Sequence, residues 1–114
     1  MSDCVFCRIV QRQLPATIVA ENDAALAFKD SNPQAPVHVL IIPKTHIARV
    51  SDLSELTLPL MADLIVMAKQ LATQQGLDRD GYRLVINCGP QAGQTVWHLH
   101  LHLLGGRAMH WPPG

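Results

Sequence analysis

Three histidines near the end of the chain, His98, His100 and His102, alternate with leucines. In a β-strand successive side chains point to opposite faces, so this spacing places the three imidazoles on one face and the leucines on the other. A neutral imidazole with one available lone pair can act as a nucleophile or as a metal ligand. The pattern therefore predicts a reactive face that lies opposite an apolar core face.

A loop rich in glycine and polar residues precedes these histidines. Gly93 would let a backbone N–H approach an anion closely, and Gln94 and Thr95 would donate hydrogen bonds to phosphoryl oxygens or to a leaving group. Attack of a histidine nitrogen on phosphorus gives a phosphoramidate that water can open. The residues thus indicate phosphoryl chemistry, and a catalytic metal ion held by His98, His100 and His102 is the alternative.

Two of the three cysteines form a Cys-x-x-Cys pair, Cys4 and Cys7. No strand is predicted before Cys4, whereas a thioredoxin-like redox motif would follow one. Zinc needs two further ligands, and His46 and His98 can complete a tetrahedral set. Structural zinc and a pair of thiols without metal are both compatible with the residues, and a closed four-ligand site would not activate water. Cys88 is expected to pack as a small apolar side chain.

Composition limits the class of protein. A chain of 114 residues that is 48% hydrophobic can bury the core of one domain. Nine basic and nine acidic residues balance, and no basic run occurs, so we expect no nucleic acid and no membrane among its partners. The start of the chain lacks the features of a secretion signal, which predicts a cytoplasmic protein that binds a small ligand.

Proline and glycine divide the chain into short elements. A short helix is predicted over 7–13 and a long helix over 59–75, whose apolar stripe is core packing. Strands are predicted over 17–21, 24–29, 37–42, 82–87 and 97–104, with His38 on the same face as Leu40 and Ile42. The expected fold class is α+β, with a five-stranded, largely antiparallel sheet, one long helix and a short N-terminal helix.

The segment 98–104 resembles the His-x-His-x-His-x-x signature of the histidine triad (HIT) superfamily of nucleotide hydrolases and transferases. The resemblance extends over nearly the whole chain, through 30–38, 42–46, Asn87, 93–95 and the tail 105–114. The tail is the part most typical of the purine nucleoside phosphoramidase branch. The chain departs from that branch at Ser31, where an apolar residue is common, and at Thr95, where serine is common.

The resemblance implies a role for each matching residue. His100 would be the nucleophile on the α-phosphorus, His102 would contact the phosphate, and His38 would support proton movement around His100. Catalysis would also use Thr95. The nucleotide-binding residues would be Phe28, Asp30 (at the ribose hydroxyls), Ser31, Asn87, Gly93, Gln94, Thr95, His100, His102 and Trp111. Relatives with the N-terminal cysteine pair use the positions of His46 and His98 as further zinc ligands.

The implied activity is hydrolysis of the P–N bond of adenosine or guanosine 5′-phosphoramidates through a nucleotidyl-histidine intermediate. A dinucleoside polyphosphate hydrolase and a nucleotide-binding or scaffold protein with little catalysis are the alternatives. The resemblance further implies one HIT-like domain over 1–114 and a homodimer whose two sheets join into ten strands. In that dimer the tail 105–114 would reach the partner subunit's site, and no organic cofactor is expected.

Overall fold

A computed structural model describes residues 3–114 as one antiparallel sheet with helices on its two faces. The strands lie in the order β1-β2-β3-β5-β4. Two short 3₁₀ turns, Val50–Asp52 and Pro90–Ala92, interrupt the connections. The elements are α1 (Val5–Val10), β1 (Ile18–Glu21), β2 (Ala25–Lys29), β3 (Val37–Pro43), α2 (Pro59–Gln74), β4 (Tyr82–Val85) and β5 (Leu101–Gly105).

The two faces of the sheet carry two apolar cores, because side chains alternate along each strand. One core packs the predicted stripe of α2 against the sheet, and Leu99, Leu101 and Leu103 lie in it. The other core packs Phe6 and Ile9 of α1 against apolar side chains of β2 and β3. The α+β fold, the single long helix and the core position of the leucines are therefore as predicted.

The N-terminal helix begins two residues earlier than predicted and ends at Val10 instead of Gln13. Cys4 is its N-cap, and the Sγ atom of Cys4 accepts a hydrogen bond from the backbone N–H of Cys7 at 3.4 Å. Cysteine is an uncommon N-cap, so the sequence carried no ordinary start signal here. As a result, Cys4 caps α1 and Cys7 lies in its first turn.

The predicted strand over 97–104 is wrong in its first half, because β5 begins only at Leu101. The ladder pairs Ile41 with Leu101, and two residues further on the same register would pair Leu99 with Pro43, which has no N–H to donate. The backbone N–H of Leu99 instead donates to the carbonyl of Ile47 at 2.7 Å. His98 and His100 therefore lie on an irregular approach to the strand, although their alternation with the core leucines is kept.

The register of the sheet brings histidines from different parts of the chain together. His102 on β5 lies opposite Leu40 on β3, and His38 is two residues before Leu40 on the same face. No helix among residues 3–114 has the length and apolar character needed to cross a membrane.

Candidate active site and Cys/His cluster

A groove of about 970 Å³ runs along the α1 face of the sheet. His100 and His102 lie on its wall, together with Phe28, Asp30 and Ser31. The polar end thus holds two imidazoles and a carboxylate, and the remainder is largely apolar. Its other lining residues are Val5, Phe6, Ile9, Leu14, Pro15, Ala16, Thr17, Lys29, Leu40, Thr95 and Val96.

Asp30 and His102 both lie against Nε2 of His38, and we call these three residues the relay. The backbone N–H of Gln34 donates to Nδ1 of His38 at 3.0 Å, so the proton of a neutral His38 must lie on Nε2. That Nε2 atom lies 2.9 Å from Nδ1 of His102 and 3.3 Å from Oδ2 of Asp30. His102 therefore accepts at Nδ1 and carries its own proton on Nε2.

The environment of the relay keeps its imidazoles neutral. Burial lowers the pKa of His38 below its ordinary 6.5, against the opposing effect of the Asp30 carboxylate. Burial, followed by the nearby His100 and His38, lowers the pKa of His102 to about 4. The Nε2 atom of His102 is buried and has no hydrogen-bond partner among residues 3–114. A buried donor in that state favours an acceptor such as a phosphoryl oxygen.

His100 carries the nitrogen that best fits a nucleophile. Its Nδ1 atom lies 2.7 Å from the backbone carbonyl of His98, and a carbonyl can only accept, so the proton lies on Nδ1. The lone pair is then on Nε2. His100 is buried, with 7% of its surface exposed, and Phe6 packs edge-on against its ring at 5.2 Å. The imidazole is thus fixed in one tautomer on the wall of the groove.

Cys4, Cys7, His46 and His98 form a second group, the Cys/His cluster, whose four candidate ligand atoms lie within 4.8 Å of one another. Nδ1 of His98 lies 3.2 Å from Nδ1 of His46 and 3.3 Å from Sγ of Cys4. Sγ of Cys7 lies 3.3 Å from Nδ1 of His46 and 3.5 Å from Nδ1 of His98. Tetrahedral zinc would require edges of about 3.4 Å between nitrogens and about 3.6 Å between nitrogen and sulfur, so the four residues fit this ion.

A hydrogen bond outside the Cys/His cluster prepares His98 for this role. Nε2 of His98 donates to the carbonyl of Pro43 at 2.8 Å, which leaves the lone pair on Nδ1, the atom that faces the cysteines. Burial is the main cause that lowers the pKa of His98 to about 4, and the Pro43 carbonyl opposes it. His98 is fully buried, whereas His46 is exposed, so the cluster lies at the edge of the protein.

The structure divides the three alternating histidines between two sites. The side chain of His98 faces the cysteines, while His100 and His102 line the groove. Within residues 3–114 the groups able to hold a metal do not combine His98 with His100 and His102. This geometry does not support the alternative in which all three histidines ligate one catalytic metal ion.

Four of the predicted nucleotide-binding residues do not line the groove. In Gln94, Oε1 of the amide accepts from Gly89 at 2.9 Å, and Nε2 donates to Ala48 at 2.7 Å and to Val96 at 3.1 Å, so the amide holds the loop and its contact with a nucleotide stays a prediction. The N–H of Gly93 is likewise used, at 3.1 Å from the carbonyl of Pro90. Asn87 is half-buried beyond the end of β4, and Trp111 is 82% exposed on the tail.

Sequence reasoning missed residues that shape the site through packing or backbone contacts. Phe6 contacts the rings of both His98 and His100, at 5.9 and 5.2 Å, and so links the two sites. Its place between the two cysteines was the available signal, because a helix that brings Cys4 and Cys7 to a metal must also place Phe6 nearby. Gln34 sets the tautomer of His38 with a backbone N–H, for which no side-chain signal exists.

The fold and the groove define a class of protein: an antiparallel α+β domain with paired histidines and a carboxylate at the end of an apolar cleft. The chain belongs to the HIT domain family, whose sequence pattern matches residues 11–109. An uncharacterised HIT-like protein from Synechococcus elongatus is 52% identical over 98% of this chain and 97% of its own length. A 14 kDa zinc-binding protein from Zea mays is 47% identical over 99% of this chain and 89% of its own length.

Solved structures of the family share the architecture. A HIT family hydrolase from Legionella pneumophila superposes with a TM-score of 0.96 at 53% identity, over 98% of this chain and all (100%) of that one. A histidine triad nucleotide-binding protein from Candida albicans gives 0.83 at 31% identity, over 96% and 83% of the two chains. A zinc-bound histidine triad family protein from Mycobacterium smegmatis gives 0.79 at 38% identity, over 92% and 76%.

Proposed function

We propose that this protein is a nucleotide-binding hydrolase that cleaves the P–N bond of purine nucleoside 5′-phosphoramidates. One observation carries the proposal: Nδ1 of His100 is protonated against the carbonyl of His98, so Nε2 presents a lone pair in the groove beside the unpaired N–H of His102. The names of the Legionella and Candida relatives, a hydrolase and a nucleotide-binding protein, support the general class. The phosphoramidate substrate rests on the resemblance of the tail.

In the proposed first step, Nε2 of His100 forms a bond to the α-phosphorus and the P–N bond breaks. The leaving nitrogen takes up a proton from the histidines and departs as an amine, and Thr95 also lines the groove. The N–H of His102 would donate to a phosphoryl oxygen as charge develops there, which stabilises the transition state. His38 and Asp30 would hold His102 in the tautomer that can donate.

In the second step, the oxygen of a water molecule would form a bond to phosphorus while the bond between phosphorus and Nε2 of His100 breaks. A proton of that water would return to the histidines and replace the one that the amine removed. The products are a nucleoside monophosphate and an amine. We propose that the purine lies against Phe28 and the apolar walls, and that the Asp30 carboxylate accepts from the ribose hydroxyls. Oδ1 of Asp30 accepts from the N–H of Asn32 at 2.8 Å, and Oδ2 faces His38. These contacts orient the carboxylate, and the ribose hydroxyls would bind to it beside them.

We further propose that the Cys/His cluster binds structural zinc. The ligand distances and the orientation of His98 fit a closed tetrahedral site, and two relatives are named for zinc. When bound, the ion would supply cross-linking of α1 to the approach to β5 and no reactive water. The protein's own residues perform every step of the reaction above.

The test of the activity compares two substrates on the purified protein. Adenosine 5′-phosphoramidate and diadenosine tetraphosphate are each incubated with the enzyme, kcat/KM is measured for both, and bound zinc is quantified on the same sample. We expect a clear preference for the phosphoramidate and trapping of a nucleotidyl adduct on His100. A preference for the tetraphosphate would support the polyphosphate hydrolase, and AMP binding without turnover of either would support the scaffold alternative.

We also propose that two copies associate through β4, whose outer edge has no strand beside it among residues 3–114. Leu84 pairs with Leu103 and so lies on the α2 face of this edge, and it is 36% exposed. Ile65 and Val66 on α2 are 36% and 51% exposed. Joining two such edges would give ten strands and let the tail, with Trp111, reach the partner's groove.

Leu84→Lys should then shift the sedimentation coefficient from that of a dimer to that of a monomer.

A further inference from the structure

The turn that follows β5 is seated on the loop between β2 and β3. Gly106 has a φ of +92°, and a Cβ added there would lie only 2.9 Å from Cβ of Pro36, so only glycine allows this close approach. In the next residue, Nε of Arg107 donates to the backbone carbonyl of Gln34 at 2.9 Å. Nη1 of the same guanidinium donates to the carbonyl of Ala108 at 2.9 Å. One side chain therefore joins the start of the tail to the 30–36 loop.

The loop that Arg107 contacts is bonded to two members of the relay. The N–H of Gln34 donates to Nδ1 of His38, and the Gln34 side chain donates to the carbonyl of Asn32 at 3.0 Å. The N–H of Asn32 donates in turn to Oδ1 of Asp30. The Gln34 backbone N–H thus decides which nitrogen of His38 accepts, and the Gln34 side chain is linked through Asn32 to the Asp30 carboxylate.

The hydrogen bond from Gln34 decides where the proton of His38 lies. Because Gln34 donates to Nδ1 of His38, the His38 proton lies on Nε2 and points to Nδ1 of His102, 2.9 Å away. If the Gln34 N–H moved away, His38 could place its proton on Nδ1 instead, and His102 would lose the donor that fixes its own tautomer. The Nε2 proton of His102, the one facing the proposed phosphate site, would then be present only part of the time.

We propose that Arg107 is a positioning residue for the reaction: by holding the Gln34 carbonyl, it keeps His38 and His102 in the tautomers that present an N–H to the phosphate. The inference rests on the proposed function for its kinetic consequence, although the tautomers themselves are independent of substrate. Arginine suits the task because its planar fork reaches two carbonyls at once, Gln34 and Ala108, whereas lysine offers a single ammonium. Arg107 does not line the groove.

The experiment combines kinetics with the ¹⁵N resonances of the His38 and His102 imidazoles, which distinguish the two neutral tautomers. We expect Arg107→Ala to lower kcat about fivefold, the effect of losing one ordinary hydrogen bond, and to move the His38 resonances toward a mixture of tautomers. Arg107→Lys should restore part of both effects. Arg107 is exposed, so both variants should fold.

Arg83→Ala is the matched control, because Nη2 of Arg83 donates to the carbonyl of His110 at 2.9 Å and so holds the same tail without touching the 30–36 loop. It should leave the His38 and His102 resonances unchanged. Unchanged resonances in Arg107→Ala, with or without a fall in kcat, would overturn the proposal, and so would an equal change in Arg83→Ala. If the wild-type protein does not cleave phosphoramidates, a tautomer change in Arg107→Ala alone still supports the positioning role while the proposed function fails.

Discussion

The Cys/His cluster and the relay lie on the same protein and use histidine in opposite ways. In the Cys/His cluster, the Nε2–H group of His98 donates a hydrogen bond to a backbone carbonyl, so the lone pair of Nδ1 faces the other three ligands. In the relay, the Nε2–H group of His38 donates a hydrogen bond to Nδ1 of His102, so the lone pair of one ring faces the other ring and not a cation. Both groups have the spacing of a metal site. The partner of each imidazole's second nitrogen therefore decides whether the group suits a cation or the transfer of a proton.

The largest effects should come from replacing, one at a time, two histidines that are two residues apart in the chain. His100→Ala should lower kcat by at least about a thousandfold, because the nucleophile is gone, while AMP affinity and bound zinc stay near wild-type values. His98→Ala should lose the zinc. Turnover by rapid quench and zinc by atomic absorption, measured on both variants, check the division. An active His100→Ala protein would refute the mechanism, and zinc retained by His98→Ala would refute the ligand set.

The second test removes the metal ligand that lies on α1. Cys7→Ser should lose zinc and unfold about 10 °C or more below the wild type, since the energy of metal binding contributes directly to folding. Cys88→Ser is the matched control, because Cys88 lies outside both groups and contacts Ser51 at 3.3 Å. Thermal unfolding followed by circular dichroism measures both. Equal melting temperatures for the two variants would show that the Cys/His cluster does not hold a structural ion.

A smaller effect concerns the carboxylate of the relay. Asp30→Ala should raise KM about tenfold for a ribonucleoside phosphoramidate, because the ribose hydroxyls lose a charged acceptor. The 2′-deoxy substrate is the control, since it lacks one of these hydroxyls and should be less affected. If the ribo and deoxy substrates lose the same factor, Asp30 acts through His38 alone and not through the sugar.

The smallest effect is a pH dependence of stability that belongs to the relay. The pKa of His102 is lowered to about 4 in the folded protein and is 6.5 in the ordinary state, so the unfolded chain binds more protons between these values. Stability should therefore be fully present above pH 6.5 and fall as the pH drops toward 4. In metal-free protein, urea unfolding at pH 6.5 and 5.5 should differ by no more than about 1 kcal/mol from this residue. His102→Gln should reduce the slope; an unchanged slope would assign it to other groups.

The sequence predicted features that depend on periodicity and missed those that depend on backbone bonds. Alternation was enough to separate Leu99, Leu101 and Leu103 from the histidines, because the side-chain period of an extended chain persists even where the ladder does not. The four members of the Cys/His cluster were predicted from residue type and resemblance, and the structure brings them within ligand distance.

Gln94 shows how backbone contacts can occupy a polar residue near a site. Its type suggested a donor to phosphate, yet each polar atom of its amide is bonded to the backbone of its own loop or of the segment before α2. Arg107 shows the reverse case. Nothing about an exposed arginine just after β5 reveals that it contacts a loop seventy-three positions earlier in the chain. Such contacts depend on the tertiary structure, which single-residue chemistry does not encode.

Pro43, the last residue of β3, affects the histidine sites through its backbone and not through its side chain. Because it has no N–H, the β3–β5 ladder ends at the Ile41–Leu101 pair, and the Pro43 carbonyl accepts from a side chain instead of a strand partner. The carbonyl of Pro43 orients the imidazole that faces the cysteines, and that of His98 orients the proposed nucleophile. The irregular backbone at this end of the ladder thus supplies the two carbonyls that decide which nitrogen of each ring carries the proton.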